Sequence, residues 1–248
     1  MSVNDDADLR GIENVSKIAV RIRETLAAAC VPGVTTRRLD DLCRREYRAL
    51  GAASAPMRDY GAPSYSFYSR NECVVHGLPD DVELVAGDVV KIDVTPFYEG
   101  YVSDTACTVI VGGSAANETA RRMVENAEES LRKALGKCRP GTRVNEIGRA
   151  IQNNTESKGY FVIRELAGHG VGRAVHEDPS VLNYYDGRER GVLTEGLVIA
   201  IEPMICNRRT EVRTRRDGWS IAARTGSLTA HYEHTVMITS AGPVVLTA

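Results

Sequence analysis

The sequence predicts an α+β fold in which two related halves each contribute a helix pair followed by antiparallel strands, the helices covering a curved sheet. Three observations predict it. First, segments recur in order at nearly one offset: Cys30-Val31-Pro32-Gly33 returns as Cys138-Arg139-Pro140-Gly141, and Gly51 returns as Gly159. The run Leu84-x-x-Gly87-x-Val89-Val90-x-Ile92-Asp93 returns as Leu193-x-x-Gly196-x-Val198-Ile199-x-Ile201-Glu202. Second, apolar residues ahead of each Pro-Gly step follow a helical period, while those further on form short β-rich runs. Third, 248 residues with 43% hydrophobic and 26% charged side chains suffice for one large domain with a buried core. The reading is one domain over 1–248, with halves of about 1–112 and 113–248.

Leu9, Ile12, Val15, Ala19, Ile22 and Leu26 share one face of a first helix. Pro32-Gly33 breaks it, and Leu39, Leu42, Cys43 and Tyr47 suit a second. Strand-like sequence follows at 88–94 and 105–111. Gly112-Gly113-Ser114 is the short joint between the halves. Asn117 then caps a third long helix whose face carries Ala120, Met123, Val124, Ala127 and Leu131. Pro140-Gly141 ends that helix, and Ile147, Ala150 and Ile151 continue on a fourth. The remaining strands fall at 198–203 and 234–239.

The formal net charge is −2, so no one-signed field draws the chain to nucleic acid or acidic lipid. No apolar run approaches the ~20 residues needed to span a bilayer. The polar, acidic start, Met1-Ser2-Val3-Asn4-Asp5-Asp6, lacks the pattern of a signal peptide. Six scattered cysteines form no C-x-x-C pair and read as reduced thiols of a cytoplasmic protein.

Four acids lie in or beside apolar strand sequence: Asp93, Asp104, Glu202 and Glu233. Strands disfavour acids, and each buried carboxylate costs several kcal/mol unless it is paired or bound to a metal. Tyr98-Glu99-Gly100-Tyr101 lies between the strands carrying Asp93 and Asp104. A turn centred on 98–99 sets the two acids face to face. One centred on 99–100 sets Asp104 two residues from the residue facing Asp93. Either register puts both on one face. With no cation assigned to that face, a pair of divalent ions is the economical neutraliser. His169, within Gly168-His169-Gly170-Val171-Gly172, adds an imidazole. Four carboxylates and one imidazole suit Mn, Fe, Co or Zn alike. His76 and His176 each open an H-x-x-P segment, one in each half.

Together, Ile92-Asp93-Val94 with Ser103-Asp104-Thr105, the Gly168–Arg173 run with His176-Glu177-Asp178-Pro179, Ile201-Glu202-Pro203, Asp217-Gly218-Trp219 and Tyr232-Glu233-His234-Thr235 resemble the methionine aminopeptidases. The match runs from the first helix to the last strand. The short interval between His169 and Glu202 resembles the type I form, and the lack of an N-terminal zinc-binding extension resembles the short bacterial type. The resemblance implies a pita-bread fold and removal of the initiator methionine from nascent chains whose second residue is small. It implies that Asp93 holds one metal, that Asp104 and Glu233 bridge two, and that His169 and Glu202 complete the second. It implies Glu202 as general base and then acid, with His176 on the carbonyl oxygen and His76 at the scissile nitrogen. Trp219 reads equally as a wall of the methionine pocket or as a core residue. Asn71 and Thr229 resemble positions beside a monovalent-cation site. The implied protein is a cytoplasmic monomer that meets nascent N-termini and has no membrane or specific nucleic-acid partner. A transient ribosome contact would involve the basic stretch from Arg208 to Arg216.

Three positions depart from the family pattern. Phe67 stands where relatives carry a small cysteine, Val175 where they often carry Phe, and Ala62 where they often carry Tyr. The metal chemistry looks intact while the side-chain pocket looks remodelled, with Phe67 refilling space left at Val175. Two rivals stand beside this reading. One is an Xaa-Pro aminopeptidase or prolidase-like peptidase, although those usually carry a further N-terminal domain. The other is a non-catalytic binding protein of the same fold, although such proteins usually lack one or more ligands.

Overall fold

The computed structural model describes residues 1–248. Helix α1 (Asp6–Ala29) is capped by the Asp5 carboxylate, which accepts from the Ala7 and Asp8 N–H groups. Its buried stripe includes Ile12, Val15, Ala19, Ile22 and Leu26, the face that the periodicity predicts. Helix α2 (Thr36–Leu50) follows the Pro32-Gly33 break. Strand β1 (Ala53–Ser54) and the short helix α3 (Ala55–Tyr60) come next, and no periodic signal announces them. The strands of the first half are β2 (Phe67–Arg70), β3 (Cys73–Val75), β4 (Val89–Val94), β5 (Pro96–Tyr98), β6 (Tyr101–Val102) and β7 (Thr105–Ile110).

Asn117 does cap the next helix, α4 (Glu118–Leu135), accepting from Ala120 N–H at 3.0 Å. Helix α5 (Asn145–Ser157) precedes β8 (Phe161–Val162), β9 (Ala167–Gly170), β10 (Glu177–Leu182), β11 (Val198–Ile201) and β12 (Met204–Cys206). The chain ends with β13 (Val212–Thr214), β14 (Ile221–Ala223), β15 (Thr229–His231), β16 (His234–Met237) and β17 (Val244–Val245). The matched glycines Gly33 and Gly141 have φ of 84° and 86°, a left-handed turn that excludes most side chains and accounts for that part of the repeat.

All strand pairs are antiparallel. They form a five-stranded sheet, β10-β9-β11-β16-β17, and four three-stranded sheets. Where one curved sheet is expected, the chain breaks at corresponding points: β4 gives way to β5 at Pro96, and β11 to β12 around Pro203. Proline has no N–H to continue a ladder. Helices α1 and α2 cover β2-β4-β7, packing Ile22, Leu26 and Leu39 against Val90, Ile92 and Val94. Helices α4 and α5 pack Met123, Leu131, Ile147 and Ile151 against Ile199, Ile201 and Val236. Each such side chain contributes roughly 1.5–3 kcal/mol by leaving water.

The β5–β6 turn resolves the register. Tyr98 pairs with Tyr101, and Glu99 and Gly100 both have positive φ, as a two-residue hairpin loop requires. Asp93 therefore faces Ala106, and Asp104 lies two residues from that partner.

Candidate metal centre

The acids sit where the strands end. Asp93 is the penultimate residue of β4, Asp104 lies between β6 and β7, Glu202 between β11 and β12, and Glu233 between β15 and β16. Asp93 is inside a strand and the other three lie directly beside one, in keeping with acids in or beside strand sequence, although Glu202 falls just outside the strand expected at 198–203. The interruptions turn four carboxylates toward one point. Ligand atoms of Asp104, His169 and Glu233 lie within 4.8 Å of one another. His169 Nε2 is 3.9 Å from Asp104 Oδ2 and 3.4 Å from Glu202 Oε1. Glu233 forms a bridge with Ala106, the residue opposite Asp93, which ties the two halves together at the site.

The backbone holds His169 in one tautomer. Its Nδ1 donates to Gly170 O at 2.9 Å, which leaves the Nε2 lone pair facing the carboxylates. A Cβ at Gly168 would lie 2.4 Å from Ala200 O, and one at Gly170 would lie 2.2 Å from Asp178 O. The flanking glycines thus let the neighbouring strands close around His169. Asp104 Oδ1 accepts from Thr95 Oγ1 at 2.9 Å, and Asp104 N–H donates to Thr235 Oγ1 at 2.9 Å. Asp93 Oδ1 is sealed from solvent with no hydrogen-bond partner.

Electrostatics favour a cation here. Burial pushes the Asp93 carboxyl up to about 7. Burial and then the Asp93 charge push Asp104 well above the usual carboxylate range. Burial and then the Asp104 and Asp93 charges do the same to Glu202. Glu233 is raised by burial, then by Asp104, Glu202 and Asp93. Burial lowers His169 and His76 to about 4, so neither offers a compensating positive charge at neutral pH. Four carboxyl groups, an imidazole lone pair and an orphaned carboxylate oxygen make a donor set that fits a divalent metal centre.

A cavity of about 140 Å³ opens over this cluster. All nine site residues read from the sequence line it: Phe67, His76, Asp93, Asp104, His169, His176, Glu202, Trp219 and Glu233. Phe67 pairs across the sheet with Asp93 and so points to the same side. Its ring centre is 4.9 Å from His76 and 6.0 Å from Trp219, which it stacks against. Trp219 is a half-buried wall rather than a core residue. Val175 also lines the cavity, whereas Ala62 does not. The pocket nevertheless has a tyrosine: Tyr60, at the end of α3, lines it, and its hydroxyl lies 2.9 Å from His176 Nδ1. No sequence signal marked Tyr60, because α3 is too short to show a period.

Two further residues escape the sequence reading. Lys91 stands two positions before Asp93, on the same face of β4, contrary to the expectation of no cation there. It is 1% exposed and lines no part of the cavity, and its ammonium donates to Asn71 O at 2.8 Å. Thr229 Oγ1 lies 2.9 Å from that same carbonyl and 3.0 Å from Cys73 O. His231, two positions before Glu233, is buried, with Nε2 3.7 Å from Glu202 Oε2 and 3.9 Å from Glu233 Oε2. Strand alternation alone would have flagged Lys91, which shares β4 with Asp93. The basic stretch Arg208–Arg216 is mostly exposed. No helix is long and apolar enough to cross a membrane.

A family model described as metallopeptidase family M24 matches residues 10–240. The chain is 39% identical over 251 residues to the methionine aminopeptidase of Escherichia coli strain K12, covering all of this chain and 94% of that one. It is 36% identical to the methionine aminopeptidase of Staphylococcus epidermidis, covering 100% and 98% of the two chains. The crystal structure of methionine aminopeptidase from Rickettsia prowazekii matches with a TM-score of 0.95 at 33% identity, over the whole of both chains. The fold is the pita-bread fold that the repeat and motifs implied. With the carboxylate–imidazole cluster at the centre of that fold and the family match spanning nearly the whole length, the chain belongs to the M24 metallopeptidases.

Proposed function

We propose that this chain is a dinuclear metallo-aminopeptidase that removes the initiator methionine from nascent proteins and peptides with a small second residue. The observation that carries the proposal is the convergence of Asp93, Asp104, His169, Glu202 and Glu233 beneath a cavity walled by Phe67 and Trp219. Asp93, Asp104, His169, Glu202 and Glu233 would hold the ions, Asp93 toward one, His169 and Glu202 toward the other, with Asp104 and Glu233 available to both. When bound, the ions supply a water of lowered pKa as a nucleophile near neutral pH. Glu202 takes the water proton and delivers it to the leaving amine. Tyr60 donates to His176 Nδ1, which keeps the proton on Nε2 and directs it at the peptide carbonyl oxygen as negative charge develops. His76 contacts the scissile nitrogen. Phe67 and Trp219 give the methionine thioether an aromatic contact.

Co, Mn, Fe and Zn all suit the donor set. A monovalent ion would sit near Asn71 and Thr229, where the Lys91 amine, lowered by burial to about 7, already donates to Asn71 O. The whole chain acts as one catalytic unit of two related halves, 1–112 and 113–248. It works as a cytoplasmic monomer on emerging N-termini, with at most transient ribosome contact. A substrate panel tests the function: Met-Ala-Ser, Leu-Ala-Ser and an Xaa-Pro peptide, each with Mn, Fe, Co and Zn in turn. Preferred cleavage of Met-Ala-Ser supports the proposal. Preferred Xaa-Pro cleavage makes the chain a prolidase-type enzyme, and no turnover with any metal makes it a binding protein.

A further inference from the structure

We propose that His231 is a positioning residue for Glu202, donating from Nε2 to the carboxylate oxygen that faces away from His169. The ring sits at the end of β15, opposite Met204 on β12, and is 1% exposed. Neither ring nitrogen has a hydrogen-bond partner. Buried polar groups are almost always paired, so an orphaned Nε2 facing the Glu202 and Glu233 carboxylates calls for a partner. Glu202 provides one. Its two oxygens are divided between two imidazoles: Oε1 lies 3.4 Å from His169 Nε2, and Oε2 lies 3.7 Å from His231 Nε2.

The two imidazoles differ in tautomer. His169 Nδ1 donates to Gly170 O, so its Nε2 carries a lone pair and belongs on the side of a metal. His231 Nδ1 has no such backbone acceptor, so its Nε2 is free to carry the proton. Once Glu202 is ionised beside a cation, Oε2 becomes a strong acceptor. An approach of under ~1 Å then closes a charge-assisted hydrogen bond of ordinary length. That bond holds Oε1 toward the metal and sets the orientation in which Glu202 exchanges its proton. The inference rests on the reading of Glu202 as metal ligand and proton acceptor.

Two variants and one spectrum test it. His231→Leu removes the donor at similar volume, whereas His231→Gln keeps an N–H donor. The expected result for His231→Leu is a metal-free melting temperature equal to or above that of the unaltered protein. Calorimetry should show Co(II) affinity about 10-fold weaker or worse, and kcat on Met-Ala-Ser should fall roughly 10–100-fold with KM within about twofold. His231→Gln should restore most of both. In the unaltered zinc-loaded protein, ¹⁵N NMR should show His231 protonated at Nε2. Unchanged affinity and kcat in His231→Leu would overturn the proposal, as would Nδ1 protonation or ¹¹³Cd coupling to the His231 ring. If His231→Leu does not fold, the glutamine variant and the spectrum still decide. If the unaltered protein binds no metal at all, the metallopeptidase reading itself fails, a result distinct from a silent His231→Leu.

Discussion

Replacing Asp93 with asparagine removes one charge at nearly constant volume, and the structure sets the size and sign of the effect. Burial lifts this carboxyl from 3.8 to about 7 in the metal-free protein. At ~1.4 kcal/mol per unit, the ionised form is disfavoured by at most about 4 kcal/mol. A carboxyl whose pKa rises on folding supports the fold below its unfolded pKa and loses that support as pH rises through the folded pKa. The penalty therefore grows from near pH 4 and is complete by about pH 8. Asp93→Asn never pays it. Metal-free Asp93→Asn should be more stable than the unaltered protein by up to about 4 kcal/mol at pH 8 and by about 2 kcal/mol at pH 5. For a chain of this size the pH 8 difference is a melting temperature roughly 8–16 °C higher. Buried His169 and His76 titrate in the opposite sense, losing stability as pH falls, but both proteins share that loss and it cancels. Calorimetric scans after chelator dialysis at the two pH values make the comparison. With saturating Co(II) the order should reverse, because the variant has lost a ligand while the unaltered protein gains stability from metal by mass action. A metal-free variant that melts lower at pH 8, or by the same margin at both pH values, would refute the reasoning.

Metal binding at pH 6 should release protons from the raised carboxyls, and more at pH 6 than at pH 8. Titrations in buffers of different ionisation enthalpy measure this, and equal release at both values would contradict it. Phe67→Cys, which opens space beside Trp219 and His76, should change the relative rates on Met, Leu and norleucine substrates. Unchanged ratios would count against Phe67 as a pocket-shaping residue. Tyr60→Phe should lower kcat about two- to tenfold without altering metal affinity, because it frees His176 to change tautomer. An unaltered kcat would remove Tyr60 from the mechanism.

Much of this molecule was legible from its sequence because repetition and cost are both visible there. Gly33 and Gly141 mark equivalent turns with nearly equal φ, so the repeat reported real geometry. Acids near Ile92 and Ile201 were conspicuous because apolar neighbours make a buried charge expensive. The segmentation of the sheet was harder to see. Pro96 and Pro203 were in view, but that they mark the turns which converge the carboxylates depends on how strands from both halves meet. Lys91 stands two positions before Asp93 on β4, where alternation sets a cation on the face of an acid, whereas β15 ends at His231 and only the tertiary structure brings its imidazole to Glu202. Tyr60 was beyond reach, since only the tertiary approach of α3 brings its hydroxyl to His176.

The central claim is that two divalent ions neutralise the carboxylates gathered where the strands break. Its most direct test is calorimetric titration of the metal-free protein with Co(II), beside Asp104→Asn. The unaltered protein should bind two ions per chain, and the variant should lose at least one. Absence of binding, or an unchanged stoichiometry and affinity in Asp104→Asn, would contradict it.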